Sequence, residues 1–206
     1  MIDVTKQIEA VTRTVGTSGD ARIGTISQVY PTGVDDLWEA VTSAERIPRW
    51  FLPITGDLKE GGHYQLEGNA GGTITRCDKP NGYAATWEYG DTVSTITVRL
   101  TAIDGEHTRL ELEHAGVPDP DFWAQFGPGA TGLGWDGGLM GLALHLSAPD
   151  QPIDKEAVAA WMASDEGREF WRQSSEAWYS ANVASGADPE TARGMADRTF
   201  AAYTGG

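Results

Sequence analysis

Residues 83–114 read YAATWEYGDTVSTITVRLTAIDGEHTRLELEH, three runs of alternating character separated by Gly90-Asp91 and Asp104-Gly105. Successive side chains of a strand point to opposite faces, so alternation assigns each run a buried side and a wet side. Tyr83, Ala85, Trp87 and Tyr89 share one face of the first run, and Ile96, Val98 and Leu100 one face of the second. In the third, Leu110, Leu112 and His114 lie together with Arg109, Glu111 and Glu113 opposite. The separating dipeptides suit tight turns. Parallel neighbours would need crossovers of a dozen or more residues, so connections this short dictate antiparallel pairing. The pattern extends upstream through residues 54–58, 63–67 and 72–77, punctuated by Glu60-Gly61-Gly62, residues 68–72 and Pro80-Asn81-Gly82.

A sheet with one apolar face needs a cover. Trp135, Leu139, Leu142 and Leu146 recur at helical spacing, predicting a helix over 134–147 with one apolar face, reached through a loop at 118–132. From Trp135 to Leu146 such a helix runs roughly 16 Å, about the length of a strand. Before the meander, residues 22–30 alternate as a strand ended by Pro31 and Gly33. Val34, Leu37, Trp38 and Val41 then mark a helix, and a shorter one follows around 44–50, interrupted by Pro48. Residues 1–16 fit either a helix (Val4, Ile8, Val11, Val15) or, from 11 onward, a strand.

Composition shifts near Pro149, and the chain divides into a domain at 1–149, with 1–20 as a lead-in, and a helical extension at 150–206. Asp154, Ser164 and Asp188-Pro189 stand as N-caps ahead of amphipathic runs carrying Trp161, Phe170, Trp171, Trp178 and Phe200. Those faces must be buried against the main domain or against a second chain.

The chain has 206 residues with 15 basic against 30 acidic side chains, a net charge of −15. That field opposes any broad hold on nucleic acid or anionic lipid. Cys77 is the single cysteine, so no disulfide framework forms within the chain, and it is read as a packing residue. No stretch of residues 1–16 has a signal peptide's charged-then-apolar order, and no apolar run approaches the roughly 20 residues of a membrane span. A cytoplasmic protein is expected.

One strand, two small helices, an antiparallel meander and a long closing helix follow the order of the helix-grip fold of START-like and Bet v 1-like (SRPBCC) domains. Arg46-Ile47-Pro48-Arg49-Trp50-Phe51-Leu52-Pro53, Thr86-Trp87-Glu88, TRLELEH at 108–114 and Gly134-Trp135 resemble the activator-of-heat-shock-protein-90-ATPase-like branch of that superfamily. The resemblance covers residues 20–147 and leaves out the tail. It implies an α+β fold whose sheet curls around the long helix and leaves a cavity for an apolar or amphipathic ligand. The co-chaperones that name the branch also carry a separate N-terminal domain, which residues 1–20 are too few to form.

Other motifs point away from familiar chemistries. Residues 127–132 spell G-x-G-x-x-G, but Pro118 and Pro120 precede them and no parallel strand follows, so the dinucleotide reading fails. The glycines at 68–72 lack the Lys-Ser/Thr of a phosphate loop, and no G-x-S-x-G is present. His63, His107, His114 and His145 lack zinc-ligand spacing, so neither metal nor cofactor is expected. His145 falls on the flank of the apolar stripe, and Arg49 is either a mouth residue for an acidic ligand or a surface cation.

Trp50, Tyr64, Trp87, Tyr89, His114, Trp135, Leu139 and Leu142 are the expected ligand-binding set, placed to converge between sheet and helix in a pocket of about 300 to 1,000 Å³. His114 is either a hydrogen-bonded structural residue or a cavity acid/base. Three functions stay open: a binder of a small hydrophobic or aromatic molecule, an enzyme of the same fold (cyclase- or hydrolase-like) using His114, and a stress-related module contacting a chaperone, or a second copy, through the Trp-rich tail.

Overall fold

The computed structural model describes residues 3–151 and 154–205; Met1 and Ile2 of the ambiguous opening, Pro152 and Ile153 at the tail's start, and Gly206 lie outside the described residues. Eight strands form one antiparallel sheet: β1 (Val11–Ser18), β2 (Ala21–Tyr30), β3 (Ile54–Gly56), β4 (His63–Leu66), β5 (Gly71–Asp78), β6 (Gly82–Tyr89), β7 (Thr92–Ala102) and β8 (Thr108–Gly116). Their order is β1-β2-β8-β7-β6-β5-β4-β3. The meander therefore runs from β3 to β8 and closes on β2, as the short turns require. The register keeps the predicted faces together: Val98 stands opposite Leu112, and Leu100 opposite Leu110.

The opening residues resolve into both alternatives, a short helix α1 (Val4–Glu9) and the edge strand β1, which pairs with β2 from Val11↔Gln28 to Ser18↔Ala21. Between β2 and β3 the chain crosses the sheet through α2 (Val34–Thr42) and a 3₁₀ turn, Ile47–Arg49, the second small helix cut to one turn around Pro48.

Residues 118–132 are not the expected loop. They hold α3 (Pro120–Phe126), and the closing helix α4 (Gly129–Ser147) starts five residues earlier than expected. Asp119 caps α3, its side chain accepting from Phe122 N–H, and Pro120 takes the first helical position. Six of the nineteen residues of α4 are glycine, each unfavourable by up to about 1 kcal/mol against Ala in a helix. Packing on both sides offsets this. At Gly132 the indole of Trp178 lies where a side chain would be, and at Gly141 the carbonyl of Trp50 does.

The tail forms α5 (Lys155–Met162), α6 (Asp165–Ala184) and α7 (Pro189–Thr204), each capped by the predicted side chain: Asp154, Ser164 and Asp188. Phe170, Trp171 and Trp178 of α6 share one core cluster with Val4, Ile8, Ile26, Leu133 and Leu139. Both the lead-in and the tail thus pack into the domain they flank, and the aromatic residues of α6 are engaged within the chain.

At the centre of that junction lies an ion pair that no local pattern announces. Arg13 of β1 and Asp136 of α4 meet at 2.6 Å with side chains 4% and 1% exposed. Arg13 Nε also donates to both carboxylate oxygens, and Nη1 donates to the carbonyls of Ile8 and Val11. Asp136 Oδ2 accepts from Ser174 Oγ at 2.6 Å and from Trp178 Nε1 at 2.9 Å. Every polar atom of the pair that needs a partner has one, which is what makes such burial tolerable. Among the described residues no helix is long and apolar enough to cross a membrane.

Candidate functional site

The concave face of the sheet and the apolar stripe of α4 do not meet everywhere. Between them lies a cavity of about 220 Å³, below the range expected from the sequence. Strands β4 to β8 line it with Tyr64, Leu66, Ile74, Tyr83, Ala85, Trp87, Ile96, Val98, Leu110 and Leu112. Helix α4 contributes Trp135, Gly138, Leu139 and Leu142; α2 and the segment after it contribute Trp38, Val41, Thr42, Ile47, Trp50 and Phe51, and Ile54, Leu58 and Cys77 complete the wall. Cys77 is itself exposed and so marks the rim, where a packing residue was expected. Nearby, Lys79 Nζ on the β5–β6 turn reaches Glu39 Oε1 of α2 at 3.1 Å.

Six of the eight expected residues line this space: Trp50, Tyr64, Trp87, Trp135, Leu139 and Leu142. Tyr89 does not. It is the last residue of β6, on the correct face but 60% exposed. Tyr83, on the same face at the other end of the strand, is the tyrosine that lines the cavity. Trp38, whose helical stripe was legible, and Phe51, next to Trp50, are the other aromatic residues missing from the expected set. The rings form a continuous series: Trp50 to Phe51 at 5.4 Å, Phe51 to Trp135 at 6.1 Å and Trp135 to Trp87 at 4.9 Å between centroids.

His114 sits outside the lining, edge-on to Trp87 and Trp135. Trp135 Nε1–H donates to its Nδ1 at 3.1 Å, so the neutral ring carries its proton on Nε2. That nitrogen lies 2.7 Å from Ser94 Oγ, which donates onward to the carbonyl of Trp87. Burial holds the imidazole neutral, lowering its pKa to about 4. The imidazole thus has both nitrogens engaged, with no carboxylate or Tyr bonded to it among the described residues. Its effect is to fix the orientation of Trp135 in the cavity wall.

His145 is buried rather than on an open flank. Its Nε2 accepts from Arg46 Nε at 3.2 Å, and burial, with Arg46 and Arg49 nearby, lowers its pKa. Arg49 is exposed and donates to the carbonyl of Pro149, away from the cavity lining.

The polar atoms of the lining are mostly satisfied within the wall. Tyr64 Oη donates to Thr86 O, Thr42 Oγ1 to Trp38 O and Trp50 Nε1 to Ala40 O. The Tyr83 hydroxyl has no hydrogen-bond partner among the described residues, and burial pushes its pKa up to about 12. Among the described residues no Asp, Glu, Lys, Arg or His lines the space. Among the described residues no cluster of His, Cys, Asp and Glu could hold a metal ion.

A protein-family model described as Activator of Hsp90 ATPase homolog 1-like protein matches residues 31–146. No curated protein matches the chain. Among solved structures, the solution structure of CalU16 from Micromonospora echinospora is 32% identical with a TM-score of 0.67, over 86% of this chain and 97% of that one. Its crystal structure gives 31% and 0.63, over 86% and 99%. DynU16, described as a protein in the dynemicin biosynthetic locus, is 20% identical with a TM-score of 0.53, covering 61% of this chain and 47% of that one, a likeness of fold alone. The helix-grip architecture, the matched segment and the CalU16 likeness across nearly the whole chain agree: this protein belongs to the family of Activator of Hsp90 ATPase homolog 1-like proteins.

Proposed function

We propose that the protein binds a small hydrophobic or aromatic molecule in the cavity between the sheet and α4, without chemistry of its own. The observation that carries this reading is the cavity itself: about 220 Å³ of space walled by aromatic and aliphatic side chains, where a solid core would leave none. Binding is favoured over acid/base catalysis because, among the described residues, no Asp, Glu, Lys, Arg or His lines the cavity and His114 is tied to Trp135 and Ser94.

Native mass spectrometry of the full chain, after exposure to a mixture of one- and two-ring aromatic compounds, tests the reading. A retained adduct is expected, and Ala85→Leu, which places a larger side chain in the cavity wall, should abolish it. Absence of any adduct, or equal retention by the folded variant, overturns the proposal.

A further inference from the structure

Resting on that binding reading, we infer that the cavity rejects anions and selects ring compounds bearing a hydroxyl or carbonyl group, and that Tyr83 is the residue that determines this preference. Negative charge is excluded first. A carboxylate entering this space would lose its hydration and meet no cation, since among the described residues no Lys, Arg or His lines the wall. The acidic surroundings of a chain with net charge −15 add to that cost. The exclusion applies to anions; an ammonium group would meet aromatic faces and a favourable field that offset part of its lost hydration.

Polarity is then rationed by the wall. The hydroxyls of Tyr64 and Thr42 and the indole N–H of Trp50 already donate to backbone carbonyls. Among the described residues Tyr83 is the lining hydroxyl left with both a proton to give and lone pairs to offer; the indole N–H groups of Trp38 and Trp87 are also without an acceptor but can only donate. A ligand hydroxyl or carbonyl would complete Tyr83; a bare hydrocarbon would leave it unpaired. Size follows from the volume: at about 220 Å³ the space lies under the usual range of about 300 to 1,000 Å³ for drug-sized pockets, so one or two fused rings fit.

Isothermal titration calorimetry of the full chain with 2-naphthol, 2-naphthoate and naphthalene at pH 7 decides the matter. Naphthol is expected to bind at least about tenfold more tightly than naphthoate. Tyr83→Phe should weaken naphthol by about five- to tenfold, the range for loss of one buried hydrogen bond, while changing naphthalene by less than about twofold. A thermal melt confirms that the variant is folded. Naphthoate binding as tightly as naphthol, or Tyr83→Phe shifting naphthol and naphthalene alike, overturns the selectivity and leaves the cavity as a binding site. If none of the three binds and none slows alkylation of Cys77 at the rim, the binding reading falls and this inference with it.

Discussion

Replacing Arg13 with methionine removes the counter-charge of a carboxylate that is 1% exposed. Asp136 Oδ2 keeps its bonds from Ser174 and Trp178, but Oδ1 loses donors at 2.6 and 3.1 Å. Breaking a buried pair from one side costs about 3–5 kcal/mol. The two surviving donors place this case at the low end, about 3 kcal/mol. That is a large part of the roughly 5–15 kcal/mol that holds a domain together, and at about 2–4 °C per kcal/mol for a chain of this size it lowers Tm by roughly 6–12 °C. Urea unfolding followed by tryptophan emission should show a lower midpoint at unchanged slope. Arg13→Met combined with Asp136→Leu removes both charges and is expected to recover much of the loss, so the two substitutions are strongly non-additive. A loss below about 1 kcal/mol for Arg13→Met, or simple additivity in the double variant, would refute the account of this junction.

Three further outcomes follow from other contacts. Unfolded His114 takes up a proton near pH 6.5 and the folded residue only near pH 4, so the unfolded state binds more protons between those values. Stability therefore falls as pH drops through that window, by about 3 kcal/mol over its width; an NMR titration midpoint for His114 above pH 6 would contradict this. Gly141→Ala gains up to about 1 kcal/mol of helix propensity but drives a Cβ into the Trp50 carbonyl, a backbone atom that no rotamer change relieves. Overpacking of about 1–3 kcal/mol should win, and a raised Tm would show the reverse. Truncation after residue 149 strips Ser174 and Trp178 from Asp136 and uncovers the apolar back of α4. Aggregation or loss of a cooperative melt is expected, and a monodisperse, cooperatively melting fragment would disprove it.

The strands of the meander and the three tail caps are legible in the sequence because their causes are local: alternation over a few residues, or one Asp or Ser bonding an amide two or three positions on. Alternation fixes a face but not a depth. It places Tyr83 and Tyr89 on the same side of β6 without revealing that Tyr89 lies at the exposed end and Tyr83 in the cavity wall. Helix α3 had the same signature as α7, Asp-Pro at its start, yet the surrounding prolines and glycines read as loop. The glycines of α4 read likewise, because what makes them helical is the indole and carbonyl seated against them from distant segments. The Arg13–Asp136 pair spans 123 positions, and neither residue carries a pattern that points to the other. His114 was legible as an inward residue; its neutrality comes from Trp135 and Ser94, which only the folded chain brings to it.

Helix α4 is gripped from behind as firmly as it is faced from the front, and this determines where the cavity can change. With Trp178 wedged at Gly132 and the guanidinium of Arg13 anchored one turn on, the helix cannot retreat to make way for a bulkier guest. A change of volume must come from the opposite wall, where Leu66, Ala85 and Ile96 project from the strands into the space. Paralogues or engineered descendants could therefore diversify in capacity by trimming or thickening those few strand positions while the scaffold behind them stays constant.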